Sequence, residues 1–213
     1  MIFIERYTVN KFIKNLMINL LNKFNLKIKN SGVNNKIIVG NNVTIKKTRI
    51  KIYGNDNTII IGDNTYLHNV RVNIGFSDSK TDKTTLTIGK YTTINSATFQ
   101  LGENNSTISI GEDCMLSFNI EMTCSDTHTV YDKNGKVSNI DKIISIGNHI
   151  WLGKNVCVLK NTTIPDGCIV GQNSIVTKKF QEKNSVLAGN PAKIVKNNCC
   201  WSRLRPNNHT KER

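Results

Sequence analysis

The sequence predicts an all-β solenoid, a parallel β-helix in which each six-residue unit forms one flat face of a three-sided coil. Three observations lead there. Between Ile146 and Lys178 an aliphatic residue opens every hexad: Ile146, Leu152, Val158, Ile164, Val170 and Val176. The fifth position is small or β-branched (Ile150, Val156, Thr162, Cys168, Ser174), suiting a second, tighter inward site. A four-residue phrase also returns along the chain, as Ile37-Ile38-Val39-Gly40, Ile59-Ile60-Ile61-Gly62, Leu86-Thr87-Ile88-Gly89, Ile108-Ser109-Ile110-Gly111 and Ile144-Ser145-Ile146-Gly147. An ordinary parallel sheet would interleave its strands with helical segments, and this stretch has none.

Taken in order, residues 1–30 form a helical cap. From Val9 to Phe24 the apolar residues Phe12, Ile13, Leu16, Met17, Leu20, Leu21 and Phe24 recur at helical spacing among lysines and asparagines. This amphipathic helix is too short and polar to span a bilayer. No signal-peptide cleavage pattern is present, and Glu5 sits in what would be the positive leader. Covering the open end of the solenoid, or packing on a partner subunit, is the expected role; contact with a membrane surface is the alternative.

The solenoid occupies residues 31–180, with coils from Ile37. Glycine beside the inward aliphatic residue lets the chain turn each corner, where positive φ costs it little. The polar excursion from Phe76 to Thr84 is an exposed loop. A larger one, 124–142, contains the turn formers Asp132, Asn134 and Gly135 and leaves the prism as an arm. Residues 181–213 are a C-terminal extension. Val186 to Pro191 reads as an extended loop, and Trp201, Arg203, Arg205, Lys211 and Arg213 lie in a flexible basic end.

The 213 residues carry a formal net charge of +14. Such a surface attracts nucleic acid, acidic lipid, a phosphorylated cofactor or a polyanionic sugar, and charge alone does not choose among them. A compositional bias towards Lys and Asn accounts for it equally well. No two of the six cysteines have zinc-module spacing; Cys157 and Cys168, in hexad positions, read as small core residues in a reducing, cytosolic setting.

Proton transfer near pH 7 is best served by a neutral imidazole. His128 lies on the arm in Ser125-Asp126-Thr127-His128, with Asp126 placed to fix its tautomer. A solvated loop histidine is the plain alternative. His149 competes because it precedes Trp151, but its hexad position faces outwards. His68 and His209 have no supporting neighbours. Trp151 ends its hexad and should project outwards, suiting stacking on a sugar ring or a pantetheine arm, or packing between subunits. Ser125 lacks the third, orienting group that a serine nucleophile needs.

At these residues the chain resembles the left-handed β-helix hexapeptide-repeat acyltransferases. The resemblance rests on Ile146-Gly-Asn-His-Ile-Trp151-Leu-Gly153, Ile164-Pro-Asp-Gly167, Val170-Gly171, Ser174-Ile-Val-Thr-Lys178 and Ala188-Gly-Asn-Pro-Ala-Lys193. It is similar to the branch holding galactoside, maltose and capsular-polysaccharide O-acetyltransferases, strongly over the last third and in phase back to Val39. The resemblance implies acetyl-CoA as co-substrate, no metal, a saccharide rather than nucleic acid as acceptor, and a homotrimer whose active sites lie between subunits, each arm reaching towards a neighbour. It makes His128 the catalytic base and places Trp151 in the cleft. It puts Gly153, Gly171 and Gln172 beside the pantetheine, and Thr177, Lys178, Lys193 and Lys196 near the CoA nucleotide. Lysine where some relatives carry arginine forgoes bidentate phosphate contacts. Asn95 matches an acceptor-contacting asparagine. The activity implied is O-acetylation of a bacterial surface saccharide, for which the positive charge suits a sialic-acid capsule. N-acetylation of an amino sugar, acetylation of a small antibiotic and a non-catalytic glycan-binding scaffold stay open. The implied setting is cytoplasmic, with the inner-membrane periphery as the variant.

Overall fold

The computed structural model describes residues 3–5, 25–140 and 142–206. The expected helix over Val9 to Phe24 lies outside them, as do His209, Lys211 and Arg213. What is described is a left-handed parallel β-helix of three sheets. Face A comprises β1 (Phe3–Glu5), β3 (Lys36–Val39), β6 (Thr58–Ile61), β9 (Thr85–Ile88), β12 (Thr107–Ile110), β15 (Ile143–Ile146) and β18 (Thr162–Ile164). Face B comprises β2 (Leu26–Asn30), β5 (Thr48–Ile52), β8 (Val70–Ile74), β11 (Ala97–Leu101), β14 (Ile120–Thr123), β17 (Cys157–Leu159) and β20 (Ile175–Val176). Face C comprises β4 (Thr44–Lys46), β7 (Tyr66–His68), β10 (Thr93–Ile94), β13 (Met115–Leu116), β16 (Trp151–Leu152), β19 (Ile169–Val170), β21 (Val186–Gly189) and β22 (Ala192–Lys196). Each coil runs A, then C, then B.

Both inward positions of the hexad are buried from Ile146 to Val176, including the fifth-position residues Ile150, Val156, Thr162, Cys168 and Ser174. The recurring phrase forms face A in strict register, so Ile37, Ile59, Leu86, Ile108 and Ile144 stack in one interior column. Burying each such side chain contributes roughly 1.5–3 kcal/mol. A single coil cannot enclose its apolar side; two neighbours do it.

The corner glycines have a different cause from the one expected. At Gly40, Gly62, Gly89, Gly111 and Gly147 φ is not positive; a Cβ there would strike the next coil, for example 2.4 Å from the Gly111 carbonyl oxygen at Gly89. The left-handed corner positions fall instead to Asn42, Asn64, Tyr91, Asp113 and His149, two positions further along. Asparagine tolerates that region because its short amide bonds locally. It also stacks: the Asn119 amide donates to Asn155, and Asn155 to Asn173.

Three boundaries differ from expectation. β2 and β1 extend the coils back before residue 31, since the Leu26/Ile28 alternation is strand-like once it pairs with β5. Val186 to Gly189 is no loop but a further strand of face C, on which β22 folds back antiparallel. The segment after Asn198 is held against the A–C corner. Cys157 points outwards on face B rather than into the core, whereas Cys114, Cys124 and Cys168 are buried and all six thiols are free. The excursion from Phe76 to Thr84 is a loop, as expected.

Candidate active site

The arm leaves face B after β14 and rejoins face A at β15. Its root is tightly held. Ser125 stacks over Gly102, where a Cβ would lie 2.9 Å from the Ser125 Cβ. The Ser125 hydroxyl donates to Glu103 Oε1 at 2.6 Å and accepts from the Thr127 amide at 2.8 Å. That hydroxyl therefore serves the backbone turn. Thr127 adopts φ 64, unusual for a β-branched residue. This is stored strain beside the candidate base, of order 1–3 kcal/mol. His128 follows it and is exposed. Burial pushes the neighbouring Cys124 thiol up to about 12, so it is inert as a nucleophile.

Asp126 is engaged otherwise than expected. Its carboxylate accepts from Lys160 Nζ at 2.7 Å and from the Asn139 amide at 2.8 Å, and among the described residues no hydrogen bond joins it to the His128 ring. Lys160 also donates to the Asn139 carbonyl, and the Asn139 amide to the His128 carbonyl. The two limbs of the arm are thus tied to each other and to face B. The Lys160 and Asn139 hydrogen bonds, with the lysine charge, hold Asp126 below the usual carboxylate range. Lys160 and Asn139 had no sequence signal: their partners lie 34 and 13 residues away.

Trp151 projects from face C, 37% exposed, as its hexad position requires. Thr93, Met115, Trp151, Ile169 and Val186 stand in one outward cross-strand row, with Lys196 pairing the last. Beside that row, at the C–B corner, Asn95, Ser117, Gly153 and Gly171 stack through successive backbone hydrogen bonds. Asn95 so lies two coils from Gly153, roughly 10 Å at ordinary strand spacing. Gly153 is required by packing, since a Cβ would meet the Gln172 nitrogen at 2.7 Å. Lys178 and Lys193 line one open cavity of about 430 Å³ at the C-terminal end, together with Phe180 and Ile194. Thr177, following β20 on face B, and Lys196, at the far end of β22, do not line it.

The A–C corner holds a second cluster. His149 Nδ1 lies 2.7 Å from Asp113 Oδ2 and Nε2 lies 3.1 Å from the Trp201 carbonyl, while the two rings stack at 4.2 Å. The Trp201 indole donates to the His149 carbonyl. Arg203 donates to Asp113 Oδ1, to the Thr93 hydroxyl and to the carbonyls of Tyr91 and Cys114. Burial pushes Asp113 up, but the Arg203 and His149 hydrogen bonds and charges outweigh it, leaving the carboxyl below its ordinary value. The tail is therefore not the loose end its composition suggests, at least to Pro206. His149 faces outwards, as expected, and is fully engaged. His68 bonds the Asn95 carbonyl at 3.2 Å.

In a three-sided coil the corner between B and A, where the arm departs, is opposite face C. His128 and Trp151 of one chain thus lie on opposite sides of the prism. The hexad prism and the arm define a class, the hexapeptide-repeat acyltransferases.

No family model matches the chain. It is 37% identical over 173 residues to the polysialic acid O-acetyltransferase of Neisseria meningitidis, covering 81% of this chain and 77% of that protein. It is 35% identical over 117 residues to the polysialic acid O-acetyltransferase of Escherichia coli O1:K1 / APEC, covering 54% of this chain but only 38% of that longer relative. The crystal structure of the polysialic acid O-acetyltransferase OatWY superposes with a TM-score of 0.75 at 30% identity, over 96% of this chain and 92% of that one. That of the polySia-specific acetyltransferase NeuO gives 0.65 at 27%, over 85% and 84%. The chain belongs to the hexapeptide-repeat O-acetyltransferase family, in the branch that contains the polysialic acid O-acetyltransferases.

Proposed function

We propose that the protein transfers the acetyl group of acetyl-CoA to a hydroxyl of a sialic-acid-containing bacterial capsule polysaccharide. The likeness to OatWY along nearly the whole chain carries this reading. The net charge of +14 is consistent with an acidic acceptor. Neutral His128 takes the hydroxyl proton as the oxygen attacks the thioester carbonyl carbon. The C–S bond then breaks, and the imidazolium returns its proton to the departing thiolate. Trp151, Gly153, Gly171 and Gln172 flank the pantetheine. Lys178 and Lys193 at the C-terminal cavity meet the nucleotide phosphates, with Thr177 beside Lys178 and Lys196 further along β22. Asn95 contacts the acceptor.

His128 reaches the Trp151 of a neighbouring protomer in a homotrimer, because its own Trp151 lies across the prism. Asp126, tied to Lys160, sets the arm rather than the imidazole tautomer. The enzyme works in the cytoplasm or at the inner-membrane periphery; among the described residues no helix is long and apolar enough to cross a membrane. The test is acetyl transfer from labelled acetyl-CoA to oligosialic acid, a galactoside and an amino sugar, with the product's lability to mild base recorded. Base-labile product on oligosialic acid, lost about 10²–10⁴-fold in kcat by His128→Ala, is expected. Base-stable product, or equal turnover of the galactoside, overturns the substrate; unchanged transfer by His128→Ala overturns the base.

A further inference from the structure

We propose that residues 199–205 form a strap whose Trp201 is the positioning residue for Trp151. The strap runs down the A–C corner against the direction in which the coils advance. The Cys199 amide donates to the Asn184 carbonyl at 2.7 Å, Trp201 stacks on His149 two coils further down, and Arg203 reaches Asp113, Tyr91 and Thr93 on the coils below that. Asp113 is the hub. One carboxylate oxygen takes the His149 ring and the other takes the guanidinium, 2.7 and 2.9 Å away. Arg203 also lies over the Trp201 ring at 5.9 Å. Trp201 therefore contacts both His149 and Arg203.

Trp151 needs such a neighbour. On face C it is flanked in register by Met115 and Ile169 alone, and an outward indole on a strand has no interior wall to fix its ring. Trp201 supplies that wall, its ring centroid 6.1 Å from that of Trp151 and tilted by 47°, inside the range of favourable aromatic pairs. Arg203 meets the same outward row again at Thr93, so the strap brackets Met115. An indole held in one orientation presents a fixed surface to a ligand arm, and preorganisation of that kind acts on binding.

The inference rests on the placing of Trp151 at the acetyl-CoA cleft, and its test keeps the two separable. The chain has two tryptophans, so Trp201→Phe leaves Trp151 as the sole tryptophan, excited selectively at the red edge of the absorption band. Adding Arg203→Ala to Trp201→Phe should lower the fluorescence anisotropy of Trp151, a readout that needs no turnover. Trp201→Ala should raise KM for acetyl-CoA about tenfold with a smaller change in kcat, and Trp201→Phe should restore it to within about twofold. A wild-type KM in Trp201→Ala, or an anisotropy of Trp151 indifferent to Arg203→Ala, overturns the proposal. Loss of His128-dependent transfer in the parent leaves the anisotropy result decisive for the strap, whereas an intact strap with Trp151→Ala fully active would count against the cleft instead.

Discussion

At the scale of single residues, the corner of the coil divides its demands between two neighbours. Glycine stands where the next coil's backbone passes too close for any Cβ, and asparagine, aspartate or histidine stands where φ is positive. The repeating glycine is plain in the sequence, but its cause is not, because both explanations predict the same letter. Substitution separates them. Gly89→Ala places a Cβ 2.4 and 2.5 Å from backbone atoms of Gly111, which cannot step aside, so it should lower unfolding stability by about 2–3 kcal/mol. Gly171→Ala meets nothing closer than the Ala188 methyl at 3.2 Å, and should cost less than about 1 kcal/mol. Urea melts of the two variants check this; equal losses would mean that conformational freedom, not clearance, selects glycine. The same division explains His149, which sits in the column of Asn42, Asn64, Tyr91 and Asp113 and owes its place to the corner.

At the scale of elements, what could be read was what repeats. Face A is legible from its recurring phrase, and the arm from the turn formers inside a gap in the hexads. The strap was illegible because it has no period and its partners lie 52 and 90 residues away, so Trp201 and Arg203 looked like an aromatic and a cation adrift in polar chain. Leu26 and Ile28 fall inside the expected cap of residues 1–30 for a related reason: a short alternation following a helical pattern gives no clear change of period until β5 is there to pair with it. The strap's latch is electrostatic and therefore sensitive to acid. Because folded Asp113 sits below its ordinary value, the stability it gives is fully present above the unfolded value near ~3.9 and is lost as pH falls through the folded one. With Trp151→Phe leaving Trp201 as reporter, acidification from about pH 6 to about pH 2 should shift its emission to the red as the strap detaches. Asp113→Asn should begin red-shifted at the higher pH and respond less to acid. An emission maximum constant over that range would separate the strap from this carboxylate.

At the scale of the whole molecule, the three-sided coil fixes which parts of the chain are able to meet. The candidate base and the candidate cleft residue are 23 positions apart in sequence, close enough to suggest one local site, yet they leave the prism from a corner and from the face opposite. Sequence spacing does not carry that information; the order A, C, B around the coil does. If the site forms between protomers of a closed ring, each interface takes His128 from one chain and Trp151 from the next. Two variants, His128→Ala and Trp151→Ala, should then each be defective alone and complement when unfolded together and co-refolded. With random mixing in equal amounts, an interface is intact when a Trp151→Ala chain gives the base and a His128→Ala chain gives the indole, which is about one interface in four. Recovered acetyl transfer near a quarter of the parent rate is therefore expected, measured against each variant refolded alone at the same total concentration. A mixture no more active than the sum of its parts would place both residues in one protomer's site, or remove one of them from catalysis, and the argument from the opposite face would fail with it.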